Sequence, residues 1–189
     1  MPADIFALDE AYTAIERDAR ALAAGLTDAC AEWRAEPSSW SVAECLDHLA
    51  TANRVYLTAM GPAAEAAVAR GQRRRSPAVP GLLGGWFVRS LEPPVKPRFK
   101  RKAPTKIRPR SSPSFPDAMA AFLKSQEEVR RFLRAYEDFD LAAVQFPNPF
   151  IPGLRFSLAT GLHVIAAHDR RHLWQAWRVR YAAERAVAA

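Results

Sequence analysis

The chain has 189 residues, which fits one domain with enough material for a sizeable hydrophobic core. About half of the residues are apolar (49%), a composition that excludes a disordered protein, and no apolar run reaches the roughly 20 residues of a membrane-spanning helix. The net charge is +7, but residues 70–110 hold thirteen Lys or Arg against one acid, Glu92, so this segment carries +12 and the rest sums to −5. The basicity is therefore regional, and it bears on partners rather than on fold.

The N-terminal twenty residues and the cysteines indicate the compartment. Five acidic residues among the first twenty are incompatible with a secretory signal. The two cysteines, Cys30 and Cys45, are too few for a disulfide framework. We therefore expect a cytoplasmic protein with reduced thiols.

The first two predicted helices cover residues 4–34 and the region from Ser41 onward. Apolar residues recur at spacings of three and four from Ile5 to Leu26, and a proline at position 37 follows the first helix. Ser41 and Glu44 form an S-x-x-E capping box, with Trp40 placed before it as a hydrophobic staple. Gly61-Pro62 is expected to kink or interrupt the second helix.

Residues 71–116 are rich in proline and arginine and are predicted to form a long excursion from the helical body. They contain one apolar island, residues 81–88, with a short helix expected around it. A third helix is predicted over residues 117–136, a turn-rich linker over 146–153, and a fourth helix from the cap Ser157 to about 185. The pattern predicts an all-α four-helix bundle of the up-and-down type, as a single domain over residues 1–189.

Histidines provide the chief chemical signal. His168 and His172 are four apart on a predicted helix, so their rings leave the same face one turn apart and can share one cation. A third ligand must come from another helix, and His48 is the candidate. His163 lies about 140° and 180° around the helix from the pair, so we expect a packing or surface residue. Buried, hydrogen-bonded core histidines are the alternative interpretation of this spacing.

Two segments resemble a known family. Residues 40–49 (WSVAECLDHL) and 161–176 (GLHVIAAHDRRHLWQA) resemble the second-helix and fourth-helix motifs of the DinB/YfiT-like superfamily. The resemblance implies a four-helix bundle in which His48, His168 and His172 bind a divalent metal ion, with zinc or nickel expected. It also suggests a homodimer. Similar proteins include hydrolases and S-transferases that use low-molecular-weight thiols such as bacillithiol and mycothiol, so a small-molecule substrate is expected.

Weaker candidates lie beside these histidines. Gln175 shares the face of His168 and His172 and could orient a ligand or meet a substrate, or it could be a buried amide. Arg171 could neutralise an acidic substrate, or it could pair with a neighbouring helix. Glu44 could be a carboxylate partner of His48, or its capping role could be sufficient. Cys45 could be a fourth ligand or a buried residue, and burial is favoured. Asp169 and Arg170 are expected to be outward-facing charges.

The basic excursion leaves three interpretations open. Residues 96–110, with Phe99 among their cations, could bind nucleic acid through phosphates. The apolar island, flanked by cations, could rest on an anionic membrane surface. The favoured interpretation is an arm that packs along the helices or a second subunit, as a lid over the metal site or a dimer contact. A non-catalytic binding module that uses this arm is thus the alternative to a metal-dependent enzyme.

Overall fold

The computed structural model describes residues 1–94, 104–109 and 112–187. Helices dominate this part of the chain, which confirms the all-α class. They are α1 (Ala3–Ala23), α2 (Asp28–Glu32), α3 (Val42–Ala69), α4 (Leu82–Leu91), α5 (Phe115–Tyr136) and α6 (Leu158–Val187). A 3₁₀ turn, Thr105–Ile107, lies between α4 and α5, and two short strands, β1 (Gln145–Pro147) and β2 (Arg155–Ser157), precede α6.

The first predicted helix is divided in the structure. α1 ends at Ala23, and Gly25 shortly after it adopts a positive φ of 70°, a conformation common just beyond the end of a helix. A new helix, α2, then begins after Thr27, whose side chain accepts a hydrogen bond from the Cys30 backbone. The expectation of one helix over residues 4–34 was wrong because the apolar spacing continues across this break.

The two longest helices begin at the predicted caps. Ser41 and Glu44 form the complete capping box of α3, and the Ser157 hydroxyl accepts a hydrogen bond from the Thr160 backbone at the start of α6. Pro62 lies inside α3 without ending it, so the expected interruption at Gly61-Pro62 is absent. α3 is therefore one continuous helix of 28 residues.

The hydrophobic core lies between α1, α3, α5 and α6. α3 packs against α5 and α6, and α1 packs against α6 and α5. α6 lies very close to α3 and β1 at Gly161, where a Cβ atom would be 2.9 Å from Met60 on α3 and from Phe146 on β1. None of the described helices is long and apolar enough to cross a membrane.

The predicted linker before α6 contains a small hairpin that the sequence did not reveal. β1 pairs antiparallel with β2, with Phe146 opposite Phe156, and both rings are buried. Each strand has only three residues, too few for the alternation of apolar and polar residues to be recognisable. The hairpin leads the chain directly into α6, because Ser157 ends β2 and caps the helix.

The short helix expected at the apolar island is confirmed as α4, which lies along α6. Gly84 permits this contact, since a Cβ atom there would lie 2.5 Å from the Thr160 hydroxyl oxygen. Phe87 packs on Phe156 with ring centroids 5.2 Å apart. The end of α4 is tied to α6 by an ion pair between Glu92 and Arg170. One side of the predicted arm therefore does pack along the helical body.

Candidate metal centre

Three histidine side chains from two helices meet inside the molecule. His48 lies in the second turn of α3, and His168 and His172 lie one turn apart on α6. One ring nitrogen of each histidine lies within 4.8 Å of those of the other two. His48 is almost fully buried, and the other two are partly buried. The spacing on α6 and the packing of α3 against α6 thus produce a compact group of imidazoles that can hold a metal ion.

Hydrogen bonds orient two of the three rings. His48 Nδ1 lies against the carbonyl oxygen of Ile107, which can only accept, so the Nδ1 atom carries the proton and Nε2 is bare. His172 Nδ1 likewise donates to the Gln175 side-chain oxygen at 3.0 Å, which leaves its Nε2 bare as well. Metal-binding histidines are commonly held in this way by an acceptor on the far nitrogen.

The chemistry of the three nitrogens, and the spacing of one pair of them, fit a metal ion of the zinc type. His48 Nε2 and His168 Nε2 are 3.3 Å apart, close to the roughly 3.3–3.4 Å that separates two tetrahedral ligands bound at about 2.0–2.1 Å. In the metal-free protein the same distance suits a hydrogen bond from His168 Nε2 to the bare His48 nitrogen. Imidazole donors are suited to zinc, nickel, copper or iron.

The electrostatics of the site keep the imidazoles neutral. Burial lowers the pKa of His168 and His172 well below the usual histidine value, and the positive charge of Arg171 lowers both further. Burial also lowers the pKa of His48, although the Ile107 carbonyl and Asp47 oppose it. Neutral imidazole is the form that binds metal ions, so the folded protein presents the donors in their binding form at neutral pH.

An indole ring covers one side of the histidine cluster. The Trp40 ring lies 4.7 Å from the His48 ring and 5.6 Å from the His172 ring, measured between centroids. Trp40 was expected to act as a staple at the start of α3, and the structure places it against the predicted site. Its apolar face restricts water on this side of the imidazoles.

The contacts of the other candidate residues show which of them belong to the histidine cluster. The Glu44 carboxylate is used by the Ser41 backbone and by Arg34, so capping explains this residue. Cys45 is fully buried and outside the group of convergent donors, as favoured. His163 bonds to the Ala78 carbonyl oxygen and also lies outside the group, which confirms its packing role.

Asp169 was expected to face outward, and this is wrong. Its side chain is fully buried, where Gln126 of α5 donates to its carboxylate at 2.8 Å and Asn53 of α3 donates at 3.4 Å. Burial raises the pKa of Asp169 to about 7, against the opposing effect of these two hydrogen bonds. Arg170 is partly buried in its ion pair with Glu92. Asp169 therefore joins three helices through a polar cluster, next to the candidate site in sequence.

Two contributors to the site have no recognisable sequence signal. Ile107 acts through its backbone carbonyl, which every residue carries, and it comes from a turn 59 residues away from His48. The contact of Trp40 with His172 depends on how α3 meets α6. Neither could be found from local spacing.

Comparison with known proteins gives one family. The family model described as the DinB superfamily matches residues 11–176, most of the chain, including all three histidines of the cluster. No curated protein matches the chain, and no solved structure matches it.

Proposed function

Since this chain belongs to the DinB superfamily, we propose that it is a metal-dependent enzyme that acts on a small molecule. The single observation that carries the proposal is the convergence of the three imidazoles, within 4.8 Å of one another and neutral at neutral pH. His48, His168 and His172 are the proposed ligands of a divalent ion, and zinc or nickel, two of the metals that imidazole donors suit, is the proposed ion. The four long helices are the proposed bundle of this family.

The donor set supports catalysis more than a structural role. Structural zinc sites are closed by four protein ligands, whereas three imidazoles leave a position for water or substrate. When bound, the ion would supply Lewis acidity, which lowers the pKa of a bound water or thiol. Gln175 orients His172, the Ile107 carbonyl orients His48, and Trp40 limits water on one side.

The nucleophile is proposed to come from outside the chain. Both cysteines are buried, and burial raises the pKa of the Cys45 thiol well above its usual range, so neither is suited to attack a substrate. With an external nucleophile, the two proposed reaction classes are hydrolysis by water and transfer of a group to a small thiol. Arg171, whose charge also lowers the pKa of His168 and His172, is proposed to attract an anionic substrate or thiolate.

Metal analysis of the untagged protein tests the proposal. We expect about one divalent ion per chain by plasma mass spectrometry, and its loss in His168→Ala. The matched control is His163→Ala, which removes a histidine from the same helix outside the cluster and should retain the metal. Equal metal content in the two variants, or a wild-type protein that takes up no added zinc or nickel, would contradict the proposal.

The reaction class requires a second experiment. Metal-loaded protein should hydrolyse small ester or amide substrates, or join a low-molecular-weight thiol to an electrophile, and His48→Ala should abolish either activity. A homodimer is also part of the proposal, and sedimentation of the metal-loaded protein measures it.

A further inference from the structure

The helix α4 has two apolar sides, and only one of them is packed. Gly84, Phe87, Val88 and Leu91 face the helical body. On the opposite side the exposed fractions are 96% for Leu82, 61% for Leu83 and 56% for Trp86. At about 100° per residue these three side chains fall within one third of the helix circumference, so they form a continuous apolar strip. We call Leu82, Leu83 and Trp86 the outer face of α4.

The outer face lies in a cationic setting. Arg89 is exposed on the same side of the helix, one turn after Trp86, and Arg75 is exposed shortly before α4 begins. The one acid in the basic segment, Glu92, is already engaged by Arg170. A fitting occupant of this face accepts leucine and tryptophan side chains and carries negative charge near Arg89.

We propose that the outer face of α4 docks on an anionic lipid surface, with Leu82 and Leu83 inserted among the acyl chains and Trp86 at the level of the headgroups. Amphipathic helices bind lipid interfaces in this manner, with apolar residues inserted and arginines near the headgroups. Tryptophan is enriched at the level of lipid headgroups, and each basic residue near an anionic surface adds attraction. Val79, three residues before Leu82 and outside α4, is also exposed.

A second copy of the chain fits this face less well. Two copies related by a twofold axis through α4 would bring the exposed Arg89 of each copy close to that of the other, where like charges repel. The strip also offers only a few side chains, whereas a stable interface buries roughly 800 Å² on each partner. A homodimer would therefore use another face.

Nucleic acid also fits this face less well. Leucine side chains contribute nothing to phosphate contacts, which provide most of the affinity for nucleic acid. The cations predicted to make such contacts lie largely in residues 95–103 and 110, outside the described residues.

Vesicle flotation of the 189-residue chain tests the proposal. The probes are vesicles of phosphatidylcholine alone and of phosphatidylcholine mixed with phosphatidylglycerol. We expect binding to the mixed vesicles, little binding to neutral ones, and weakening by salt. Leu82→Asp and Leu83→Asp should each reduce binding by roughly tenfold, because each removes the contribution of one leucine side chain buried in the lipid to the affinity. Because both side chains are exposed, the helical circular dichroism of the variants should match the wild type.

The matched control is Phe6→Asp, which makes the same change of charge at an apolar side chain on α1 that is 53% exposed. It should bind the mixed vesicles as the wild type does. Three results would overturn the proposal: no flotation of the wild type, equal flotation of Leu82→Asp and wild type, or a dimer in sedimentation that Leu82→Asp dissociates. Retention of duplex DNA without vesicle binding would assign the segment to nucleic acid instead.

Discussion

At the residue scale, Gln175 is the side chain that fixes the orientation of a proposed ligand. Its oxygen accepts from His172 Nδ1 at 3.0 Å, which leaves Nε2 as the nitrogen available to a metal ion. We expect Gln175→Ala to weaken zinc binding by about 10–100-fold, as the loss of such supporting partners does in metal sites. Competition with a chromophoric chelator measures the dissociation constant.

Gln175→Glu is the control for this change. The carboxylate keeps an acceptor at the same place and should preserve binding near the wild-type value. Wild-type affinity in Gln175→Ala would mean that packing alone holds the His172 ring.

Neighbouring residues on α6 have different roles, although they lie within one turn of the helix. Asp169 and Arg170 separate two proposed ligands, and both look like surface charges in sequence. Asp169 instead serves the polar contacts with α3 and α5, whereas His168 and His172 face the candidate site. Adjacent residues on a helix differ by about 100°, so one segment can supply ligands to a site and a link to other helices.

At the element scale, the docking of α4 depends on the missing side chain of Gly84. In Gly84→Ala the new Cβ atom would lie 2.5 Å from the Thr160 hydroxyl oxygen, so either α4 or Thr160 must move. We expect α4 to separate from α6 more often, at a cost of about 1–3 kcal/mol. Hydrogen exchange of the backbone amides of α4 should become correspondingly faster.

The neighbouring glycine provides the control. A Cβ atom at Gly85 would meet only the end of the Arg89 side chain, at 3.5 Å. Gly85→Ala should therefore slow exchange, because alanine is the better helix former by roughly 0.5–1 kcal/mol. Faster exchange in both variants would show that steric contact with Thr160 is not the cause.

A second contact between elements links α1 to α5 and makes stability depend on pH. Arg130 donates two hydrogen bonds of 2.9 Å to the carboxylate of Asp9 and holds the pKa of that carboxyl below its usual value. A carboxyl group whose pKa is lower in the folded than in the unfolded protein stabilises the fold at pH values above its unfolded-state pKa. This contribution is lost as the pH falls through the pKa of the folded state. Asp9→Asn should cost about 1–2 kcal/mol at neutral pH, and the difference from wild type should vanish in strong acid.

Urea unfolding of both proteins across the acid range measures this dependence. The control is Glu127→Gln, which breaks an exposed ion pair with Arg131 within α5 and should change stability by less than about 0.5 kcal/mol. A pH-independent difference between Asp9→Asn and wild type would assign the effect to packing.

At the scale of the whole molecule, the proposed ligands connect α3 with α6, two helices that lie side by side in the core. A metal ion bound only by the folded state should therefore stabilise the entire molecule. At zinc concentrations near one hundred times the dissociation constant we expect the melting temperature to rise by about 5–10 °C. Calorimetry with added zinc, then with excess chelator, measures the shift.

His48→Ala should melt at the same temperature with and without zinc, because it removes the ligand from α3. His163→Ala should keep the shift. An equal shift in His48→Ala and wild type would indicate that zinc binds elsewhere on the chain.

The sequence by itself determined the helical class, the caps at Ser41 and Ser157, and the group of three candidate histidines. These features depend on short-range spacing: a capping box spans four residues, and His168 and His172 are one helical turn apart. The choice of His48 also rested on the resemblance of residues 40–49 and 161–176 to a known family. The match to the family model over residues 11–176 agrees with that resemblance.

Only the tertiary structure decided which groups meet from distant parts of the chain. The carbonyl of Ile107 reaches His48, Trp40 covers His172, and Asp169 points into the core rather than to solvent. Packing also decided that α4 buries one apolar side and exposes the other. Such contacts depend on how helices pack around a shared core, which the periodicity of one segment does not encode.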